Sequence, residues 1–338
     1  MLETIWFILW GILWAVYFML DGFDLGLGTL LPFVTRDETE RRMLYTSMGP
    51  FWNGNEVWLL TAGGATFAAF PAAYATMFSA MYTPLMLLLF ALIIRGIAFE
   101  YRGKVDHPAW RARWDALFIV GSALPMLLLG VAFANIFAGV PVDADGVLQG
   151  NLLTFLNPYG LLGGALFVML FLVHGAIWGA WRTAGELSAR AGRTAVRLWP
   201  ALFAVAVLFL VASWFATPLS RNCLHMPLLW AFPLLAAIGL ILIRICMAQE
   251  QWGKAWGCSA MTIVAATFFG VAGLFPNIFP SSIDPAFSRT AFNSASTPRT
   301  LGIMLAVALV MVPIVIAYQV WVYRLFRGKI TRESPSYE

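Results

Sequence analysis

The chain has 338 residues, of which 61% are hydrophobic and only 11% are charged, and its mean hydropathy is +0.79. A soluble domain carries about 25% charged and 45–50% apolar residues, so a water-soluble body of this size could not bury so many apolar side chains. The composition therefore excludes a cytosolic enzyme, a disordered tail and a secreted disulfide scaffold. The net charge is +4, and the basic residues lie mainly in short loops between the apolar runs. This placement favours a protein embedded in lipid over one that binds nucleic acid.

The apolar runs predict an all-α polytopic membrane protein, with residues 1–338 forming a single integral membrane domain. A spanning helix needs roughly 20 mostly apolar residues, and the runs are too continuous for the strands of a barrel. The first run follows Glu3 without the basic residues or the cleavage site of a signal peptide, so we expect a retained helix. In chain order the nine predicted transmembrane helices are residues 5–32, 51–70, 75–99, 114–138, 158–181, 196–216, 227–247, 256–278 and 301–326.

The second and third runs meet at Phe70-Pro71 almost without a loop, so a count of eight is the alternative. The distribution of Lys and Arg favours nine. With nine helices, 18 basic residues fall on one side of the membrane, and three fall on the other: Arg221, Arg289 and Arg299. By the positive-inside rule, this predicts an N-terminus outside and a C-terminus in the cytoplasm.

Six carboxylates are predicted in or beside the spans, all toward the cytoplasmic side: Asp21, Asp24, Glu56, Glu100, Asp115 and Glu186. At helix ends such groups commonly pair with arginines, and Arg95, Arg102, Arg111 and Arg113 are near in sequence. This structural interpretation is favoured for the last three. A water-filled proton entrance is the functional alternative, and it gains weight for Asp24 and Glu56, which lie within apolar sequence. Helical spacing puts Asp21 and Asp24 on one face, and likewise Asn53 and Glu56.

Histidine limits what the chain could do with haem. Only His174 is predicted inside a span, so bis-histidine ligation by this chain is excluded, whereas His–Met ligation stays open because there are 14 Met. The three cysteines have no metal-type spacing. Trp52 and Trp58 flank Glu56, and their spacing alone favours packing over a quinone or gas channel.

Six motifs, in order along the chain, carry a specific resemblance. They are DGFDLGLG at 21–28, DETERR at 37–42, WNGNEVWLLTAGGATFAAFP at 52–71, FEYRGK at 99–104, RTAGEL at 182–187 and FPNIFPSS at 275–282. Together they resemble subunit II of the bacterial cytochrome bd quinol oxidases, including the cyanide-insensitive variants. The resemblance runs from the first predicted helix to the last.

This resemblance implies a respiratory complex in the bacterial cytoplasmic (inner) membrane that oxidises quinol and reduces dioxygen to water. It implies that two b-type haems and one haem d belong to subunit I, together with the quinol-oxidising loop. Subunit II is then the haem-free partner, with two four-helix bundles plus one peripheral helix. In some members subunit II holds a structural quinone, and small single-helix accessory subunits join the complex.

The resemblance also implies a cytoplasmic proton route near the second helix, at the contact between subunits. Here the usual Trp-Asp-Gly-Asn pattern has become Trp52-Asn53-Gly54-Asn55, and an amide cannot take and release a proton at physiological pH. Our hypothesis is that Glu56, one turn away, takes over the relay role. The candidate proton-pathway residues are Glu56, Asn53, Asp24, Asp21 and Glu100, and Trp58 is a candidate for gas access to haem d.

Two other functions remain as alternatives. A secondary transporter of a small solute would use the polar groups in the spans, but it normally shows broken helices and a site near the bilayer midplane. The charges here cluster toward one surface instead. A self-sufficient membrane cytochrome is disfavoured by the number of histidines.

Overall fold

A computed structural model describes residues 1–335 and residue 337, and these residues form twelve α-helices. A short antiparallel strand pair, β1 (Asn277–Phe279) and β2 (Arg289–Thr290), lies between the last two helices. The helices are α1 (Leu2–Val34), α2 (Glu38–Met48), α3 (Trp52–Ala69), α4 (Pro71–Ala80), α5 (Tyr82–Tyr101), α6 (Pro108–Ala138), α7 (Pro158–Arg182), α8 (Gly185–Ala216), α9 (Leu219–His225), α10 (Ala231–Ala248), α11 (Trp252–Leu274) and α12 (Pro298–Leu325).

Eight helices of the described residues are long and apolar enough to cross a membrane. They match eight of the nine predicted spans. The ninth prediction, 51–70, forms the 18-residue helix α3, which is not among the eight. The reason is composition, because Asn53, Asn55 and Glu56 lower the hydropathy of this helix.

Several predicted boundaries were wrong, because hydropathy marks the apolar part of a helix and not its full length. Helix α8 begins at residue 185, although its span was predicted from 196, since its first turns carry polar residues that favour helix. The predicted span 75–99 is divided at Met81 into α4 and α5. The predicted span 256–278 ends at Leu274, before Pro276 and β1.

Helix α1 is the central helix of the structure, and it packs against α3, α6, α7 and α11. Its glycines permit a close crossing with α7. A Cβ atom added at Gly26 would lie 1.7 Å from the carbonyl oxygen of Phe171, and one added at Gly175 would lie 2.3 Å from the backbone nitrogen of Leu27. Small residues allow such approach between membrane helices. The glycines of the 21–28 motif are therefore packing residues.

The helix ends on one side carry a network of ion pairs, and we call this side the charged end. Asp37 caps α2, because its carboxylate accepts a 2.8 Å hydrogen bond from the backbone nitrogen of Glu40. The buried Arg102 donates from Nε to Asp115 at 2.7 Å and from Nη2 to Glu38 at 2.9 Å. These contacts join α2 and α6 to the residue that directly follows α5, and they fix the segment that leads from α1 into α3.

Residues 327–335, which we call the tail segment, fold back across the charged end. Ile330 pairs with the α7–α8 connection, because its backbone nitrogen donates to the carbonyl oxygen of Arg182 at 2.8 Å and its own carbonyl accepts from Ala184 at 3.0 Å. Arg332 forms a 2.6 Å ion pair with Asp37. The tail segment thus connects the end of α12 to α7 and α2.

The loops at the opposite end also join distant parts of the chain. Backbone hydrogen bonds connect Val140 with the segment 280–282, and the Arg289 side chain donates to Thr76 at 3.0 Å. Ser296 donates from its backbone nitrogen to the carbonyl oxygen of Ala69. Helix α3 therefore ends beside the start of α12, at the far end of the structure from its own first residue.

Candidate functional site

One buried acid, one partly exposed acid and one buried arginine meet where α1, α3 and α5 approach one another. Arg95 of α5 donates from Nη2 to Oδ1 of Asp21 at 3.0 Å and from Nη1 to Oδ2 at 3.3 Å. The same Nη1 donates to Oε1 of Glu56 at 3.2 Å. Asp21 and Arg95 have no more than 1% of their side-chain surface exposed, whereas Glu56 keeps 21%. Glu56 is therefore the acid at the edge of this group.

Asp24, one turn further along α1, lies in a neighbouring hydrogen-bonded chain. Its Oδ2 accepts a 2.7 Å hydrogen bond from Nδ2 of Asn55, and Oδ1 of Asn55 accepts from the hydroxyl of Tyr323 at 3.0 Å. Asp24 is fully buried, and its Oδ1 atom has no hydrogen-bond partner among the described residues. Arg95 forms ion pairs with Asp21 and Glu56 but not with Asp24, so the Asp24 carboxyl has no direct counter-charge among the described residues.

We call Asp21, Asp24, Asn55, Glu56, Arg95 and Tyr323 the acid cluster. It contains three carboxyl groups and a single guanidinium. Each acid was found in the sequence, but three members were missed in their present roles. Arg95 was expected among the partners of helix-end acids, while Asn55 and Tyr323 were not considered. An arginine inside the apolar run of α5 was the available signal, because a cation in a span needs a nearby acid.

The remaining predicted site residues lie outside the acid cluster. Asn53 is exposed on α3, although it shares helical spacing with Glu56. Glu100 is exposed and forms no ion pair with the described residues. Asp115 belongs to the ion pairs of the charged end, as the structural interpretation predicted. Glu186 is exposed and lies 3.9 Å from Arg193.

Trp58 is buried on the side of α3 that faces α12. Its Nε1 donates to Oε1 of Gln319 at 3.0 Å, and Nε2 of Gln319 donates to the carbonyl oxygen of Gly54 at 3.1 Å. This pair of bonds attaches α12 to the motif that contains Glu56. Most of α12 is otherwise exposed, and Leu301 is its one fully buried residue.

His174 does not offer a free nitrogen to a haem. Its Nδ1 lies 2.9 Å from the hydroxyl of Ser259, its Nε2 lies 3.0 Å from the carbonyl oxygen of Met19, and its ring stacks on Trp256. Both ring nitrogens are therefore used in packing α7 against α1 and α11. Among the described residues, no group of three or more His, Cys, Asp or Glu side chains could hold a metal ion.

Comparisons with known proteins agree with this architecture. The sequence profile of the family described as cytochrome bd terminal oxidase subunit II matches residues 2–326. The cytochrome bd ubiquinol oxidase subunit 2 of Bacillus subtilis is 37% identical, over 99% of this chain and 98% of that protein. The cytochrome bd-I ubiquinol oxidase subunit 2 of Escherichia coli K12 is 35% identical, over 98% and 96%.

A solved structure shares the fold. The bd oxidase from Geobacillus thermodenitrificans matches with a TM-score of 0.77, over 96% of this chain and 98% of the matched chain, at 15% sequence identity. The helical architecture thus recurs at a sequence identity too low to carry a function. The relatives and the family profile span nearly the whole chain, and they decide against the transporter alternative. The chain belongs to the cytochrome bd terminal oxidase subunit II family, and it is a membrane subunit of a respiratory oxidoreductase complex.

Proposed function

We propose that this chain is the haem-free subunit of a cytochrome bd quinol oxidase, and that it carries protons from the cytoplasm toward a haem-bearing subunit I. Its relatives are named as subunits of ubiquinol oxidases, which supports quinol as the reductant of the complex and dioxygen as its oxidant. The engaged nitrogens of His174 support haem binding by subunit I alone. The complex is then responsible for the redox chemistry, and this chain for proton supply.

The arrangement of α1, α3 and α12 supports nine crossings of the membrane. Helix α3 lies along α1 for most of its length, with Asn55 bonded to Asp24 near one end and Thr66 bonded to Trp10 near the other. An 18-residue helix that accompanies a spanning helix in this way crosses the same layer. The charged end then faces the cytoplasm, because 18 of the 21 Lys and Arg residues lie toward it.

The acid cluster is the feature that supports proton transfer. One guanidinium cannot compensate three carboxylates, so the cluster can hold one or two protons in place of the missing counter-charges. Glu56 connects the buried acids to the outward face of α3, where Asn53, Val57 and Leu60 are exposed. We assign this face to the contact with subunit I, which makes Glu56 the exit from this chain to its partner.

The amide at Asn53 gives the proposal a specific form. The Asn53 side chain is exposed on α3, but it cannot ionise. Glu56, which is partly exposed, is therefore the carboxyl of this helix that can carry a proton. Glu56 is held by Arg95 on one side only, through a single 3.2 Å bond. A carboxyl held in this way can rotate between the buried acids and the subunit contact. Trp58, two residues further along α3 and packed against α12, is proposed to line gas access on the same helix.

The test is proton uptake by the assembled complex that carries Glu56→Gln. We expect proton uptake during dioxygen reduction, followed with a pH indicator after rapid mixing, to slow by about tenfold or more. Glu186→Gln is the matched control, because it makes the same change in an exposed acid of the charged end that lies outside the acid cluster. Its proton uptake should equal that of the wild type. Asp24→Asn should slow uptake as well, whereas Glu100→Gln reports whether an exposed entry residue is needed.

Assembly is checked in each variant by the haem spectrum and by co-purification of subunit I. Wild-type uptake in an assembled Glu56→Gln complex would refute the relay role. Haem in the isolated chain would refute the division of labour between the subunits.

A further inference from the structure

A pocket of about 380 Å³ opens at the charged end, between the end of α7, the end of α12 and the tail segment. We call it the tail pocket. Its wall adjoins the acid cluster at one point, since the ring centre of Phe51 lies 4.4 Å from that of Tyr323, but no carboxyl of that cluster lines it and it has no role in the proposed proton transfer. The residues that matter for its chemistry are Thr46, Phe51, Arg182, Lys329, Ile330 and Ser334.

Arg182 is the unusual residue of the tail pocket. Only 3% of the surface of this residue is exposed, yet no carboxylate of the described residues lies within 4.0 Å of its guanidinium. Its Nη1 donates to the carbonyl oxygen of Arg327 at 2.5 Å, and its Nε has no hydrogen-bond partner among the described residues. A buried cation therefore lines a cavity with part of its donor capacity unused.

The protein compensates this cation only in part. The guanidinium carbon lies 5.9 Å from the ring centre of Phe51, 5.3 Å from Trp178 and 5.6 Å from Trp181. Arg182 is also the last residue of α7, where the helix dipole favours positive charge. These interactions are weaker than an ion pair, and burying a charge without a counter-ion is costly. An anion in the pocket would supply what is missing.

The other lining groups suit a phosphate. Lys329 adds a second cation, and the hydroxyls of Thr46 and Ser334 add donors. None of the described residues that line the pocket is acidic. Guanidinium and ammonium groups are the usual partners of phosphate oxygens. Phe51 and Ile330 provide an apolar wall, which a molecule that also has a hydrocarbon part would contact.

We propose that the tail pocket binds a phosphate-bearing anion between Arg182 and Lys329. The anion holds the tail segment against α7, because Lys329 belongs to that segment and Arg182 ends that helix. Both an anionic lipid headgroup and a free phosphate have this chemistry. The site is independent of the proton-transfer role, so one can fail while the other stands.

The test is the thermal unfolding midpoint of the delipidated complex at constant ionic strength. The probes are inorganic phosphate, phosphatidylglycerol in mixed micelles and phosphatidylcholine in mixed micelles. We expect phosphate or phosphatidylglycerol to raise the midpoint of the wild type, and phosphatidylcholine to have no effect. Lys329→Gln should need roughly fivefold more anion for the same shift, which is the contribution of one cation near a phosphate.

Arg327→Gln is the matched control, because it removes the same charge from an exposed side chain outside the pocket and keeps the carbonyl that Arg182 uses. It should respond like the wild type, and Arg182→Gln should show no shift. If Arg182→Gln does not assemble, Lys329→Gln decides the matter. A shift with phosphatidylglycerol alone identifies a lipid site, and a shift with inorganic phosphate a free-anion site. The proposal is overturned if neither anion raises the wild-type midpoint, or if Lys329→Gln and Arg327→Gln respond equally.

Discussion

Replacing Arg95 with Gln tests whether the acid cluster depends on a single buried cation. Arg95 is 1% exposed and forms two hydrogen bonds to Asp21, which is fully buried. Removing the guanidinium leaves Asp21 without a counter-charge and Glu56 without its ion-pair partner. The variant should therefore lose far more stability than a surface arginine variant.

The magnitude follows from the geometry. Two unit charges about 4 Å apart attract by about 4 kcal/mol at an effective dielectric constant near 20. Desolvation offsets much of this in the intact pair, but removal of one partner from a buried pair costs about 3–5 kcal/mol. We expect Arg95→Gln to lower the free energy of unfolding by that amount. The loss at Glu56→Gln should be smaller, about 1 kcal/mol, because Glu56 is partly exposed and forms one bond.

The assay is unfolding by sodium dodecyl sulfate in mixed micelles, followed by the fluorescence of the 15 tryptophans. Arg41→Gln is the control, since Arg41 pairs with Asp115 but is 37% exposed, and it should cost less than about 1 kcal/mol. Adding Asp21→Asn to Arg95→Gln should recover most of the loss, because no uncompensated charge then remains at that pair. Equal stability of the Arg95 and Arg41 variants, or no recovery in the double variant, would refute the reasoning.

Three further changes test other parts of the structure. Gly26→Ala should destabilise the α1–α7 crossing by about 1–3 kcal/mol, whereas Gly64→Ala, with open space around the added carbon, should have no effect; equal losses in the same unfolding assay would contradict this. Asp37→Ala should lose about 1 kcal/mol at pH 7. The backbone N–H of Glu40 and then Arg332 hold the pKa of Asp37 below its usual value, so this contribution is complete above about pH 4 and disappears as the pH falls through the native pKa. A difference between Asp37→Ala and wild type that stays constant from pH 7 to pH 3 would count against that account. His174→Ala should cost about 1–3 kcal/mol through its two lost hydrogen bonds and leave the haem content of the complex unchanged; loss of haem would reveal a ligand role.

The sequence was most informative where a single residue type has a direct physical consequence. Apolar length predicted the eight helices that are long and apolar enough to span a membrane. The acids Asp21, Asp24 and Glu56 stood out because carboxylates are rare in apolar runs. Helix α3, which was predicted as the span 51–70, is not among these eight helices, since the polar residues that form the site lower its mean hydropathy.

The partners of those acids could not be predicted in the same way. Asp21 and Arg95 are 74 residues apart, and Asn55 and Tyr323 are 268 residues apart. Helical spacing tells which residues share a face, but it does not tell which helix lies against that face. It placed Asn53 with Glu56, whereas the structure leaves Asn53 exposed and turns Asn55 toward Asp24.

The tail segment has a consequence for how the protein is made. Its pairing with Ala184 and Asp37 joins the end of the last span to loops that follow α7 and α1. The ribosome reaches residues 330–332 only after every one of these helices has been synthesised. The closure of the charged end is therefore a late step of biogenesis, and a product truncated after α12 would leave Asp37 without its Arg332 ion pair and the α7–α8 connection without its backbone partner.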